Sequence, residues 1–253
     1  MLSILLATAL AGMPTFQANG AAAVTASTGT CTPTMPGSIL ANDILILVAC
    51  GESDDEGVGI SLTTANGFAS VIAEQDGADN DALEEDPEID CEVFWKRAAG
   101  GDAAPVVADS TNHTTCAVHQ FRGVVTTGNP WNVAAGGNDS NANDTSANIP
   151  GATTTADNCL VVLVQGTSFN GTGTANCGDV TNANLGTITE RFDSSNTSGL
   201  GGGHCIVTGT LASQGTYATS TLTMGATTYK AAFSIALEGA ATSARAPYLL
   251  TPD

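Results

Sequence analysis

Basic residues are scarce in this chain. Six Lys and Arg stand against 25 Asp and Glu, giving a formal net charge of −19 over 253 residues. Lys96, Arg97, Arg122, Arg191, Lys230 and Arg245 are too few and too scattered to neutralise a row of phosphates, which excludes nucleic acid as a partner. The same shortage excludes an anionic membrane surface. A strong negative field favours solubility, cations or a basic partner surface, and a salty medium relaxes the self-repulsion. Aromatic residues make up 5% of the chain and charged residues 12%. Long helices need more Leu, Glu, Lys and Arg than that. A sugar platform has little beyond Trp95 and Trp131 to build from, and Trp95 follows Phe94 in a strand-like run, so one of those two faces a core.

Reactive patterns are missing too. No Cys-x-x-Cys occurs, which argues against a zinc ribbon or a thioredoxin-like centre. No Gly-x-Ser-x-Gly elbow occurs. The run Gly199-Leu200-Gly201-Gly202-Gly203 lacks the Lys-Ser/Thr of a phosphate loop and does not match a dinucleotide fingerprint. His113, His119 and His204 stand without a partner motif, and His119, alternating in a strand, reads as structural. No two carboxylates are paired on rigid strands as a glycosidase requires. The expectation is a chain with no catalytic residues and no enzymatic activity.

What the chain does hold is sheet-forming material. Hydrophobic residues make up 42%, and 29 glycines punctuate them. Strands are predicted near 44–50, 67–74, 91–98, 105–108, 115–122, 159–166, 186–192, 203–211, 217–224 and 229–238. The continuous apolar run over 44–50 fits a strand buried on both faces. The second half repeats the first in the same order, at an offset of about 115 residues. Asn42-Asp43-Ile44-Leu45 is echoed by Asp157-Asn158-Cys159-Leu160, and Cys91–Ala98 by His204–Leu211. Thr115–Gly123 is echoed by Lys230–Gly239. These features predict an all-β chain, a jelly-roll-like β-sandwich with an internal sequence duplication. Residues 1–13 read as an apolar arm, 14–240 as the duplicated sandwich, and 241–253 as a C-terminal tail. The halves fall at about 14–135 and 148–240, with a hinge at 136–147 where no apolar side chain larger than Ala occurs over 136–144.

Three further features carry expectations. Seven cysteines leave at least one thiol free or paired between chains. Cys50, Cys91, Cys116, Cys159 and Cys205 sit in or beside apolar runs and read as small buried hydrophobes. Cys177, in a loop, is the best disulfide candidate, with its partner left open. Between Glu52 and Glu92 lie 14 of the acids with no Lys or Arg among them. Within that tract Asp76, Asp79, Asp81 and Glu84 form a candidate calcium set, although their spacing misses the EF-hand loop. Otherwise no cofactor is expected. Leu2, Ile4, Leu5, Leu6 and Leu10 resemble a signal-peptide core without its basic start. They are read as assembly contacts on a neighbouring subunit, with a cleaved signal as the alternative.

Met35-Pro36-Gly37 followed by Asn42-Asp43-Ile44-Leu45 resembles the opening of uncharacterised structural proteins of tailed bacteriophages. Val93-Phe94-Trp95-Lys96-Arg97-Ala98 resembles their aromatic-basic-Ala strand, and Gln120-Phe121-Arg122-Gly123-Val124 before Pro130-Trp131 their Arg-Gly-Val segment. The resemblance spans roughly residues 14 to 239. It implies a virion structural protein, a capsid decoration or tail-associated subunit that docks on a repeating lattice. Its partners would be other virion proteins and copies of itself. Alternatives are a carbohydrate- or receptor-binding module that meets a cell-surface glycan, and a secreted filament subunit with an extracellular location.

Overall fold

A computed structural model describes residues 11–25, 29–53, 59–77, 88–108, 112–139, 145–168, 177–195 and 202–241. The arm residues Leu2, Ile4, Leu5, Leu6 and Leu10 lie outside the described residues, as do Asp79, Asp81 and Glu84. Every assigned element is a strand. The first half holds β1 (Thr15–Asn19), β2 (Ala23–Val24), β3 (Ile44–Ser53), β4 (Leu62–Thr64), β5 (Ala69–Ser70), β6 (Gln75–Asp76), β7 (Glu88–Arg97), β8 (Val106–Val107) and β9 (Asn112–Arg122). The second holds β10 (Trp131–Asp139), β11 (Ser146–Ile149), β12 (Ala152–Thr154), β13 (Cys159–Thr167), β14 (Val180–Thr181), β15 (Gly186–Ser195), β16 (Gly203–Leu211), β17 (Gly215–Tyr217), β18 (Ser220–Thr223) and β19 (Lys230–Glu238).

Two large antiparallel sheets organise these strands. One runs β1-β9-β3-β7-β5, and the other runs β10-β19-β13-β16-β15. The central strand β3 lies between β7 and β9, and the central strand β13 between β16 and β19. Small outer sheets accompany them, β4-β8 in the first half and β11-β18-β14 with the two-stranded β12-β17 in the second. The chain steps between layers in the same order in both halves, from β3 to β4 and back, and from β13 to β14 and back.

Side-chain alternation explains the stacking. Ile44, Ile46, Val48 and Cys50 join Leu160, Val162, Val164, Phe233, Ile235 and Leu237 in one buried cluster, the seam between the two large sheets. The other face of β3, Leu45, Leu47 and Ala49, packs with Cys31, Phe94, Val107 and Val118 beneath the first small sheet. Cys159, Val161 and Leu163 pack with Ile149, Tyr217 and Leu222 beneath the second. Thus β3 and β13 are covered on both faces, which is why their sequences are apolar without interruption. Each such fully buried Val, Leu or Ile contributes roughly 1.5–3 kcal/mol of transfer free energy.

Two sequence expectations need correction. The hinge placed at 136–147 begins inside β10, where Gly136 to Asp139 pair with Phe233 to Lys230. A Cβ on Gly136 would lie 2.6 Å from Gln75 Cδ, so the lack of large side chains reflects a strand pressed close to β6. The chain passes from the first large sheet to the second at Gly123–Pro130, because β9 and β10 lie in different sheets. Each half forms its own large sheet.

The cysteines are the second correction. Cys50, Cys91, Cys116 and Cys205 are buried, but they are bonded, as Cys50–Cys91, Cys31–Cys116 and Cys177–Cys205. Cys177 is paired as expected, and Cys159 alone is a free, buried thiol. Cys50 and Cys91 are direct cross-strand partners on β3 and β7, with Cα atoms 4.2 Å apart.

Candidate functional site

The motif residues at the start of β3 converge on one carboxylate. Asn42 adopts a left-handed conformation with φ of 70°, and its N–H donates to the Ala98 carbonyl at 2.9 Å. That turn places the buried Asp43 under the end of β9. Arg122 Nε and an Arg122 terminal nitrogen each donate to it at 2.7 Å, Gln120 Nε2 at 2.6 Å and the Leu40 N–H at 2.7 Å. Gln120 and Arg122 also donate to the Ser38 carbonyl, at 3.3 and 3.2 Å. Burial works against ionisation of Asp43, but the hydrogen bonds from Arg122, Leu40 and Gln120 outweigh it and hold the carboxyl below its ordinary value. The clamp ties the 35–42 turn to β3 and β9. Every lone pair facing Arg122, Gln120 and Leu40 is occupied, so the clamp offers no free base.

The second half has the same turn with different chemistry. Asn158 is also left-handed, with φ of 56°, and its N–H donates to the Ala212 carbonyl at 3.1 Å. Cys159 follows it, as Asp43 follows Asn42, and pairs in register with Glu238. Burial first, then the Glu238 and Asp157 charges, push the Cys159 thiol up to about 11. It is therefore a protonated thiol at neutral pH and a poor nucleophile.

The histidines meet across the seam. His119 of β9 and His204 of β16 have ring centroids 5.7 Å apart in an edge-on arrangement. Phe192 of β15 lies 4.9 Å from each ring and stacks on His204. His119 Nδ1 is 2.7 Å from Asn19 Oδ1. His119 Nε2 and both nitrogens of His204 are buried with no hydrogen-bond partner among the described residues. Burial depresses both basicities, His119 well below its ordinary value with His204 adding to the effect, and His204 to about 3. Both rings are neutral at physiological pH.

The remaining candidates are dispersed. Trp95 and Trp131 contact each other edge-to-face at 5.2 Å, one from each large sheet, and both are partly buried against the seam. Asp76 lies on β6, paired in register with Asp90 of β7, so the structure places one of the four calcium candidates and the other three fall outside the described residues. Among the described residues no group of three or more His, Cys, Asp and Glu is close enough to hold a metal ion. Burial, then the charge of Glu74, raises the Glu92 carboxyl, while a hydrogen bond from Ser70 opposes them. An open groove of about 610 Å³ runs beside Thr181, Asn182, Ile188, Thr219 and Thr221 on the outer sheet of the second half. Its Asn182 amide is engaged with the Ala218 carbonyl and Ser220 Oγ.

Sequence reasoning missed the meeting of His119 with His204, because 85 positions separate two residues that only sheet stacking joins. Asp43 and Arg122 stand in separate motif segments, and the sequence does not show that they bind each other. The opposite charges at two strand ends were the available signal. No family model, curated protein or solved structure matches this chain.

Proposed function

We propose that this chain is a non-enzymatic virion structural protein, a capsid decoration or tail-associated subunit that docks on a repeating lattice. The observation that carries the reading is the Asp43 clamp. The residues behind the resemblance to phage structural proteins, Asn42-Asp43 and Gln120-Phe121-Arg122, come together as one structural device, which is what a shared scaffold asks of them. The same strand order in the two large sheets supports an internal duplication, and the passage of the chain between inner and outer sheets supports a jelly-roll-like topology. The virion is its place, with an extracellular location as the alternative. Three disulfides suit either, since both lie outside a reducing cytoplasm. Other virion proteins and copies of the chain are its partners. The glycan-binding alternative asks for an exposed aromatic platform, whereas Trp131 is turned edge-on to Trp95.

Negative-stain microscopy of native particles, with gold-labelled antibody against the chain, tests this reading. Regular labelling of the capsid or tail is expected. Purified particles without the chain, or turnover of an ester or glycan panel abolished by a single substitution, would overturn it.

A further inference from the structure

The buried cluster between the large sheets is largely apolar. Polar contacts such as Thr115 Oγ1 to the Gly202 carbonyl and Asn19 Nδ2 to the Arg191 carbonyl join the halves. Beside them His119 and His204 face each other. They come from opposite sheets, both are fully buried, and three of their four ring nitrogens have no partner among the described residues. A buried polar group without a hydrogen bond is costly, and a buried charge without a partner costs far more. Among the described residues no carboxylate is hydrogen-bonded to either ring to offset such a charge. On the packed elements, β1 has no charged residue, β13 has only the Cys159 thiol at its far end, and β3 has only Glu52 near its end. On β9, Arg122 is bound to Asp43, and His113 stands six residues from His119. On β15, Arg191 donates to Thr208 Oγ1 and lies over the Phe16 ring, while Asp193 accepts from the Cys177 N–H. Glu190, also on β15, is raised by burial and then by Asp193.

A second observation concerns what holds the halves together. Cys31–Cys116 and Cys50–Cys91 lie within the first half, and Cys177–Cys205 within the second. No disulfide crosses the seam. Each half also keeps a second core under its own small sheet. The halves can therefore part while each stays cross-linked and partly packed.

We propose that the facing pair His119 and His204 makes the seam acid-labile, so that protonation parts the two large sheets while each half keeps its own layers. The sign follows from linkage. The fold prefers the neutral rings, so their stability is complete above the ordinary histidine value of 6.5. It drains as pH falls from there towards about 3, because only the opened state binds the proton readily. Once one ring is charged, the other faces a like charge. Acid also neutralises the carboxylates and relieves their repulsion, an opposing effect that makes a histidine-free comparison necessary.

Trp95 and Trp131 span the seam and report its opening. The full-length, disulfide-bonded protein is titrated from pH 7.5 to 3 with tryptophan emission and far-ultraviolet circular dichroism read together. The expected result is a red shift in emission below pH 6.5 while the strand signal persists. In the His119→Phe/His204→Leu variant the midpoint moves down by about one pH unit or more. An equal midpoint in that variant overturns the proposal, as does loss of the strand signal together with the emission shift, or an unchanged emission down to pH 3. If the variant does not fold, histidine ring NMR on the wild-type protein decides. Imidazole protonation coincident with the emission change supports the seam, and protonation at a separate pH overturns it.

Discussion

At the scale of single residues, the two halves solve the same turn with opposite chemistry. Asn42 and Asn158 hold the same left-handed turn, yet one is followed by an ionised clamp and the other by a thiol. Asp43→Ala removes the acceptor of Arg122 and of the Leu40 N–H and leaves the buried Gln120 Nε2 only its longer bond to the Ser38 carbonyl. We expect a loss of about 2–4 kcal/mol in urea denaturation at pH 7. Since the folded value of Asp43 lies below its ordinary value of 3.8, its contribution is present above that value and is lost as pH falls through the folded one. The Asp43 effect thus belongs to a lower pH window than the upper part of the histidine one. Cys159 gives a chemical check on the pairing of the other six cysteines. A thiol reagent at pH 8 is expected to label none of the folded chain and one site per chain in denaturant. Labelling of more than one site would contradict the three disulfides. Gly166 is needed for close approach, because a Cβ there would lie 2.0 Å from Cys91 Sγ across the seam. Gly166→Ala should cost about 1–3 kcal/mol of overpacking, measured as a lower denaturant midpoint with an unchanged slope.

At the scale of elements, the sequence is most legible where burial is two-sided or alternation is strict. The strands near 44–50, 159–166, 203–211 and 229–238 are observed with shifts of a few residues at most. A continuous apolar run has no other stable place than between two layers, so these central strands announce themselves. The short outer strands do not. β1, β2, β11 and β12 are polar or Ala-rich and pair along one edge, so nothing in their periodicity separates them from loops. β10 was hidden for another reason, since its glycines answer to a neighbour in the other sheet that no local pattern reveals. Disulfide pairing was equally illegible. Cys50 and Cys91 are partners through strand register, whereas Cys31–Cys116 pins the pre-strand segment at Cys31 to the large sheet. Chain entropy predicts an order of losses. The Cys31–Cys116 bridge spans 85 residues and Cys177–Cys205 spans 28. Replacing the first pair with alanines should therefore cost about 4.6 kcal/mol, roughly 1 kcal/mol more than replacing the second. Chemical denaturation of the two variants decides, and equal losses would point to packing as the larger effect.

At the scale of the whole molecule, the seam joins two units that are each incomplete alone. Ile44, Ile46, Val48 and Phe121 on one sheet, and Val162, Val164, Phe233 and Ile235 on the other, are buried only because the sheets stack. The covalent connection between the sheets is the short crossing at Gly123–Pro130. Residues 126–129 of it are exposed, and Arg97 fixes its backbone by donating to the Val125 and Gly128 carbonyls at 2.6 and 3.1 Å. If apolar burial rather than connectivity holds the halves, cutting this crossing should leave the molecule whole. A protease site inserted between Thr126 and Thr127 provides the cut. At pH 7.5 the nicked protein should elute from a sizing column as one particle and split into two chains only in denaturant. The nick removes the intramolecular closure that makes the effective concentration of one half near the other very high. Its denaturation midpoint should therefore become dependent on protein concentration, as association linkage requires. Two separate peaks at pH 7.5 would mean that the seam is too weak to hold the sheets without the chain between them, and the layered core would then depend on connectivity as well as on buried area.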